Sequence, residues 1–224
     1  YRAGVTHHAC SNGALMRIAP MLLPHLARPT RELWAETALS AALTHNDAAS
    51  TAACLAWVSM LLELLTMDGP PAPTWWVERY VAAARSLERR TYQVRGGEPA
   101  GFHGPLWQLV DQEVTPVARG EQGLDDALGR WYSGAFLLET VPCLLAICAR
   151  QAHQPEEAIL TAVNRTRDND TIASLVATAM GALHGPAAFP SRWTESFDGR
   201  LNRDEPGRVQ ILCKEAAHTF TTRR

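Results

Sequence analysis

Residues 135–150 read AFLLETVPCLLAICAR, and residues 171–183 read TIASLVATAMGAL. The first places Phe136, Leu137, Leu138, Val141, Leu144, Leu145 and Ile147 around almost the whole circumference of a helix. The second alternates Ile172, Leu175, Val176 and Met180 with Ala173, Ala177, Ala179 and Gly181. A helix without a polar face is a buried helix, and small residues let a neighbour approach closely. Pro142 lies inside the first helix, where the loss of one backbone donor is expected to kink it.

Outward from these two segments the helical period continues. Residues 48–65 run without Gly or Pro after the capping-type Asp47. Residues 75–92 set Val77, Tyr80, Val81, Ala84 and Leu87 on one face, with Glu78, Arg79, Arg85, Glu88 and Arg89 largely on the other. That pattern predicts a surface helix with one buried stripe. Residues 68–73 and 96–105 carry the Gly and Pro of loops, and residues 208–213 are the only strand candidate. The expected fold is all-α: a compact single-domain orthogonal helical bundle, residues 1–224, built around two buried central helices.

Composition narrows the function classes. With 46% hydrophobic and 20% charged residues, the chain has the apolar content to fold. A net charge of −2, from 21 Lys+Arg and 23 Asp+Glu, gives no broad positive field and argues against nucleic-acid binding. No apolar run is long enough to span a bilayer. Five scattered cysteines without a CxxC pair suit a reducing, cytoplasmic setting, with four of them expected to be buried free thiols. Walker, GxGxxG, GxSxG and HExxH motifs are absent.

Three polar junctions open helices. Asp168-Asn169-Asp170-Thr171 leads into the second apolar helix; on a continuous helix its two carboxylates project about 200° apart, but at a loop-to-helix junction they can converge with the Thr171 hydroxyl. Such oxygens are the hard ligands that Mg2+ or Mn2+ prefers. Asp, Asn and Thr are equally the commonest helix caps, and spacing alone favours capping. Two carboxylates before a buried helix lean the other way, since unpaired buried charge is costly. Thr44-His45-Asn46-Asp47 opens the long helix, with Asp47 or Asn46 as cap and His45 placed to meet an anion. Ser11-Asn12-Gly13 opens a third, with Gly13 permitting close approach of backbone to ligand. Each alone is adequately explained as a capped helix. Together, helix starts around one cleft bind anions without net positive charge, which points to a phosphate-containing ligand with a divalent metal nearby.

In this order, the motifs resemble those of the ADP-ribosylglycohydrolase family. Residues 11–20 (SNGALMRIAP) resemble its SNGxxMRxxP segment, residues 44–47 its TH-containing helix start, and residues 133–140 (SGAFLLET) its glycine-led central helix. Residues 168–172 resemble its DxDT metal motif, followed by GALHG at 181–185 and by Pro190 to Trp193. The resemblance implies an all-α hydrolase with two Mg2+ ions, or Mn2+, cleaving the bond between ADP-ribose and an acceptor. It assigns Asp168, Asp170 and Thr171 to the metals, with Asp170 bridging, and Asp168 and Asp170 to catalysis. It assigns Ser11, Asn12, Gly13 and His45 to the ADP-ribose cleft, and Ser133 and Gly134 to its adenosine end. The implied partner is an ADP-ribosylated protein, foremost one modified on arginine, or a small-molecule ADP-ribose conjugate.

The family's remaining metal ligands come from a TDD motif, and no Thr-Asp-Asp occurs in this sequence. Two expectations follow. Either the chain lacks an N-terminal part and its metal cleft is incomplete, with Asp168 and Asp170 facing open space; or it is a relative that holds ADP-ribose or another nucleotide without hydrolysing it.

Overall fold

A computed structural model describes residues 10–186, 189–195 and 208–221. After two short 3-10 segments, Leu15–Arg17 and Ala19–His25, the chain forms α1 (Arg31–Thr44), α2 (Ala48–Leu64) and α3 (Pro73–Ala84). A two-stranded antiparallel hairpin follows, β1 (Tyr92–Gln93) paired with β2 (His103–Gly104). Then come α4 (Leu106–Ala118), α5 (Leu124–Arg130), α6 (Leu137–Gln151), α7 (Pro155–Arg165), α8 (Asn169–His184), α9 (Ser191–Thr194) and α10 (Arg208–Thr221). The fold is all-α, as its apolar periodicity implies. Among the described residues, no helix is long and apolar enough to cross a membrane.

The centre is α6. Every residue from Leu137 to Ala149 is buried, with α3, α4, α5, α7 and α8 packed around it. Pro142 lies within this helix without ending it. The second apolar helix, α8, buries Thr171, Ile172, Leu175, Val176, Ala179, Met180 and Leu183 against α7, α6 and α2 but leaves Ser174 in solvent, so it is not apolar all round. The other helix deep in the core is α2, whose Ala52, Ala53, Cys54, Ala56, Trp57, Val58, Met60 and Leu61 are all buried. Its alanines allow α1, α3 and α8 to pack closely on different sides. Cys10, Cys54, Cys143 and Cys148 are buried free thiols; burial raises each thiol's pKa, that of Cys54 to about 12.

Three local expectations are corrected. Residues 208–213 belong to helix α10: Lys214–Ala217 are good helix formers that continue the segment without Gly or Pro, outweighing a short β-branched run. The helix expected to Tyr92 stops at Ala84, and Tyr92 is a strand residue. Past that stop the face pattern inverts: Leu87 is exposed and Glu88 is buried, because Glu88 folds back to receive the amides of Leu106 (2.5 Å) and Trp107 (3.3 Å) at the start of α4. Finally, the loop expected over residues 96–105 contributes His103 and Gly104 to the hairpin.

Candidate functional site

The segment Cys10–Asn12 lies beside the residues that lead into α6. Ser11 and Phe136 form an antiparallel bridge, the Asn12 amide donates to the Ala135 carbonyl (2.9 Å), and the Leu137 amide donates to the Cys10 carbonyl (3.0 Å). This pairing carries the side chain of Asn12, nearly buried, between two elements distant in sequence. Its Nδ2 donates to Thr140 Oγ1 on α6 (2.9 Å) and, in a second short hydrogen bond, to Asp168 Oδ2 before α8. Thr140 in turn donates to the Gly134 carbonyl (2.8 Å).

Ser133 joins the same cluster from the loop before α6. Tyr132 and Ser133 both adopt left-handed backbone conformations, φ 61° and 49°, which non-glycine residues rarely hold without compensation. The compensation is visible: Ser133 accepts from Asp168 N through its carbonyl (2.9 Å) and from Arg167 N through its hydroxyl (3.1 Å). The Arg167 guanidinium also lies 4.3 Å from the centre of the Tyr132 ring. Gly134 leaves room for its neighbour: a Cβ there would stand 2.5 Å from Glu139 Oε2 and displace that carboxylate. The Glu139 carboxylate collects the amides of Gly96, Gly134 and Phe136, yet desolvation dominates and raises its pKa.

The Thr44–Asp47 junction meets the Ser11–Gly13 junction at Ser11. His45 Nε2 shares a hydrogen bond with Ser11 Oγ (2.7 Å), and its Nδ1 shares one with Thr44 Oγ1 (2.9 Å). The bare face of Gly13 accommodates this ring, for a Cβ would approach His45 Cε1 to 2.7 Å. Burial first, then the Arg17 charge, lowers the His45 pKa, and Asp47 only partly opposes them; the neutral imidazole is favoured. Asp47 itself is the cap of α2, accepting from Ala49 N (2.9 Å), Ser50 N (3.4 Å) and the Tyr92 hydroxyl (2.8 Å).

Ser11, Asn12, Gly13, His45, Ser133, Gly134 and Asp168 are therefore brought together. Asp170 sits one residue into α8 and is exposed, whereas the Asp168 side chain is half-buried. Neither is enclosed in a paired core. Thr171 turns inward, its hydroxyl 4.0 Å from Met16 Sδ. Asn12 is not free to line a cleft with its amide nitrogen, which is committed to Thr140 and Asp168.

The oxygen donors of Asp168, Asp170 and Thr171 suit a hard divalent cation in kind. Mg2+ is commonly held by one or two carboxylates with water or phosphate completing the octahedron, so Asp168 and Asp170 fit one ion in kind, whereas the Thr171 hydroxyl is turned towards Met16. A two-ion centre does not: among the described residues no group of three His, Cys, Asp or Glu side chains stands together. Two clefts adjoin the cluster. One of about 550 Å3 is lined by Cys10, Tyr92, Arg95, His103 and Phe136, the Arg95 guanidinium lying 4.3 Å from the Phe136 ring centre. Another of about 500 Å3 is lined by Asn46, Asp47, Thr51 and Arg90.

Thr140, Glu139 and Tyr92 join the site without a motif of their own in the sequence. The available signal was the polar pair Glu139-Thr140 inside an otherwise apolar helix, where each polar group requires a partner. Tyr92 had no such signal, since its partner Asp47 lies 45 residues away.

Comparison with known proteins places these features in context. A family model described as ADP-ribosylglycohydrolase matches residues 1–223. The uncharacterized protein YegU of Escherichia coli (strain K12) is 27% identical over 195 residues, covering 84% of this chain and 54% of that protein. The ADP-ribosyl-[dinitrogen reductase] glycohydrolase of Rhodospirillum rubrum is 25% identical over 202 residues, covering 90% of this chain and 55% of that enzyme. The chain thus spans about half the length of these curated relatives. With the family matched over nearly its whole length, and the motifs joined in one cluster, the chain belongs to the ADP-ribosylglycohydrolase family.

Proposed function

We propose that the protein hydrolyses the glycosidic bond between ADP-ribose and an acceptor, foremost an arginine side chain of a modified protein. The observation that supports this most is the Asn12 amide, which ties the Ser11–Gly13 junction to Thr140 of the central helix and to Asp168 at the start of α8. Capping alone gives no reason for that arrangement. Asp168 occupies the cap position of α8 but makes no side-chain cap bond, so its carboxylate is turned to another use. Family membership supports the reaction class, and the name of the Rhodospirillum enzyme supports ADP-ribosylated protein as partner.

In this reading Asp168 and Asp170, with Thr171 next in sequence, would hold one side of a Mg2+ or Mn2+ site. A bound divalent ion supplies Lewis acidity and a more acidic water. The chain's own groups do the rest. Asn12 holds Asp168 Oδ2 in a fixed direction. The uncapped first-turn amides of α8 favour the negative charge of a phosphate. His45, kept neutral, offers a hydrogen bond rather than a charge at the Ser11–Gly13 turn. Release of ADP-ribose from arginine-modified protein, measured with magnesium and with chelator, tests the proposal. Magnesium-dependent release is expected; absence of release under both conditions refutes it.

A second reading, an ADP-ribose-binding protein without hydrolysis, is favoured by the absence of a third acidic or histidine ligand among the described residues. ADP-ribose would then raise the melting temperature by mass action without magnesium. No shift at millimolar ADP-ribose refutes this reading.

A further inference from the structure

We propose that Thr140 is a positioning residue that acts through Asn12 to set the direction of the Asp168 carboxylate. Thr140 is fully buried in α6. Its hydroxyl has one proton, and the Gly134 carbonyl takes it at 2.8 Å. The oxygen is left as an acceptor, and Asn12 Nδ2 donates to it at 2.9 Å. An amide nitrogen has two protons in one plane with fixed divergence. Once the first is fixed on Thr140, the direction of the second is fixed as well, and it lands on Asp168 Oδ2. The order of donors is thus unambiguous: Thr140 to Gly134, Asn12 to Thr140, Asn12 to Asp168.

The arrangement is more than space filling. A valine of the same shape would fill the same volume in α6, yet it would leave the Gly134 carbonyl without its donor and one Asn12 proton without an acceptor. The amide would then rotate or seek another partner, and Asp168 would lose its orientation. The backbone on the other side of Asp168 is held independently, by Ser133 through the Asp168 amide. Loss of Thr140 is therefore expected to free the carboxylate without unravelling the start of α8.

The functional meaning of this relay rests on Asp168 serving as a ligand, as proposed above, but the relay itself is testable without that assumption. The Asn12 side-chain amide signals and the Asp168 carboxyl carbon signal are followed by NMR in the metal-free protein. In Thr140→Val, exchange of the Asn12 Nδ2 protons accelerates about 10-fold or more and the Asp168 signal shifts; in Thr140→Ser both return to the wild-type values. Mn2+ alone is then titrated, with free ion read by electron paramagnetic resonance. Affinity falls about 10-fold in the valine variant and recovers in the serine variant, the scale expected for groups that orient a ligand. Thr37→Val, which removes another buried threonine hydroxyl, leaves every signal in place. If Thr140→Val lowers the melting temperature while the Asn12 and Asp168 signals stay unchanged, Thr140 is structural only and the proposal is overturned. If the relay signals move but wild-type protein binds no Mn2+, the relay stands and the cation reading of Asp168 fails.

Discussion

Asp47 and Asp168 hold the same local post, the residue before a helix, at the starts of α2 and α8. Asp47 has extended backbone angles, φ −135° and ψ 144°, and its carboxylate bends over the first turn to accept from Ala49 and Ser50. Asp168 stands at φ −87° and ψ 58°, outside that region, and makes no cap bond. The cause is tertiary: its amide is bound to Ser133, and its carboxylate is drawn sideways by Asn12, 156 residues earlier. One aspartate is 4% exposed and spent on the fold, while the other keeps an open side. Residue type thus does not tell which aspartate before a helix is spent as its cap; what decides is which group claims the carboxylate first.

The sharpest way to break this contrast is stability. Asp47→Ala removes the single oxygen, Oδ1, that accepts from the Ala49 and Ser50 amides and from the Tyr92 hydroxyl, a loss of about 3 kcal/mol when cap and buried-donor costs combine. Urea unfolding measures it; a change under about 1 kcal/mol would show that Asp47 is not the structural member of the pair.

Glu88 extends the comparison to a cap supplied from a distance. Desolvation raises its pKa from 4.5 to about 7, against the pull of the Leu106 and Trp107 amides. A raised carboxyl pKa means the folded state holds its proton more tightly than the unfolded one. Its stabilising contribution is complete below about pH 4.5 and is lost as pH rises through about 7. Between pH 5 and pH 8 that loss is about 2 kcal/mol. In Glu88→Gln this part of the decline disappears, so the variant gains on wild type as pH rises. Parallel pH profiles for the two proteins would assign the titration elsewhere.

Asp168→Ala is expected to behave unlike Asp47→Ala on both axes. It forfeits no cap bond, but it leaves one Asn12 proton unmet, at a cost of about 1 kcal/mol. Its effect on Mn2+ or ADP-ribose binding is expected to be complete loss of any response seen in wild type. A stability loss as large as that of Asp47→Ala, with ligand response intact, would make Asp168 a second structural aspartate.

Much of this was legible in the sequence, and the illegible part has a common cause. The helices α2, α6 and α8 announce themselves by long apolar runs, and the three polar junctions announce themselves by cap-type residues. Local periodicity decides both. Glu88 falls on the solvent face only if its helix continues to Tyr92, and its burial is settled by the start of α4, 18 residues on. The Asn12–Asp168 bond has a larger separation still, and nothing near either residue specifies it. Thr140 shows the intermediate case: a hydroxyl in an apolar helix declares that it has a partner, but not which. Sequence periodicity therefore locates the junctions, and only the packing of α6 among the other helices assigns their duties.

The smallest expected effect is the most discriminating. Asp170 is exposed in the first turn of α8, where a negative charge interacts favourably with the helix dipole by about 0.3–1 kcal/mol. Against this stands repulsion from the Asp168 carboxylate two residues earlier, weakened by solvent on the open side. The terms nearly cancel, so Asp170→Ala should change stability by less than about 0.5 kcal/mol in metal-free protein. A structural cap would cost about 1 kcal/mol instead. If Asp168 and Asp170 hold the cation as proposed, added Mn2+ would end the cancellation, because its charge would offset their repulsion. Wild type should then gain melting temperature over Asp170→Ala as Mn2+ is added, from near equality at zero ion. If the two proteins rise together, Asp170 has no part in holding a cation, and α8 begins with one functional carboxylate rather than two.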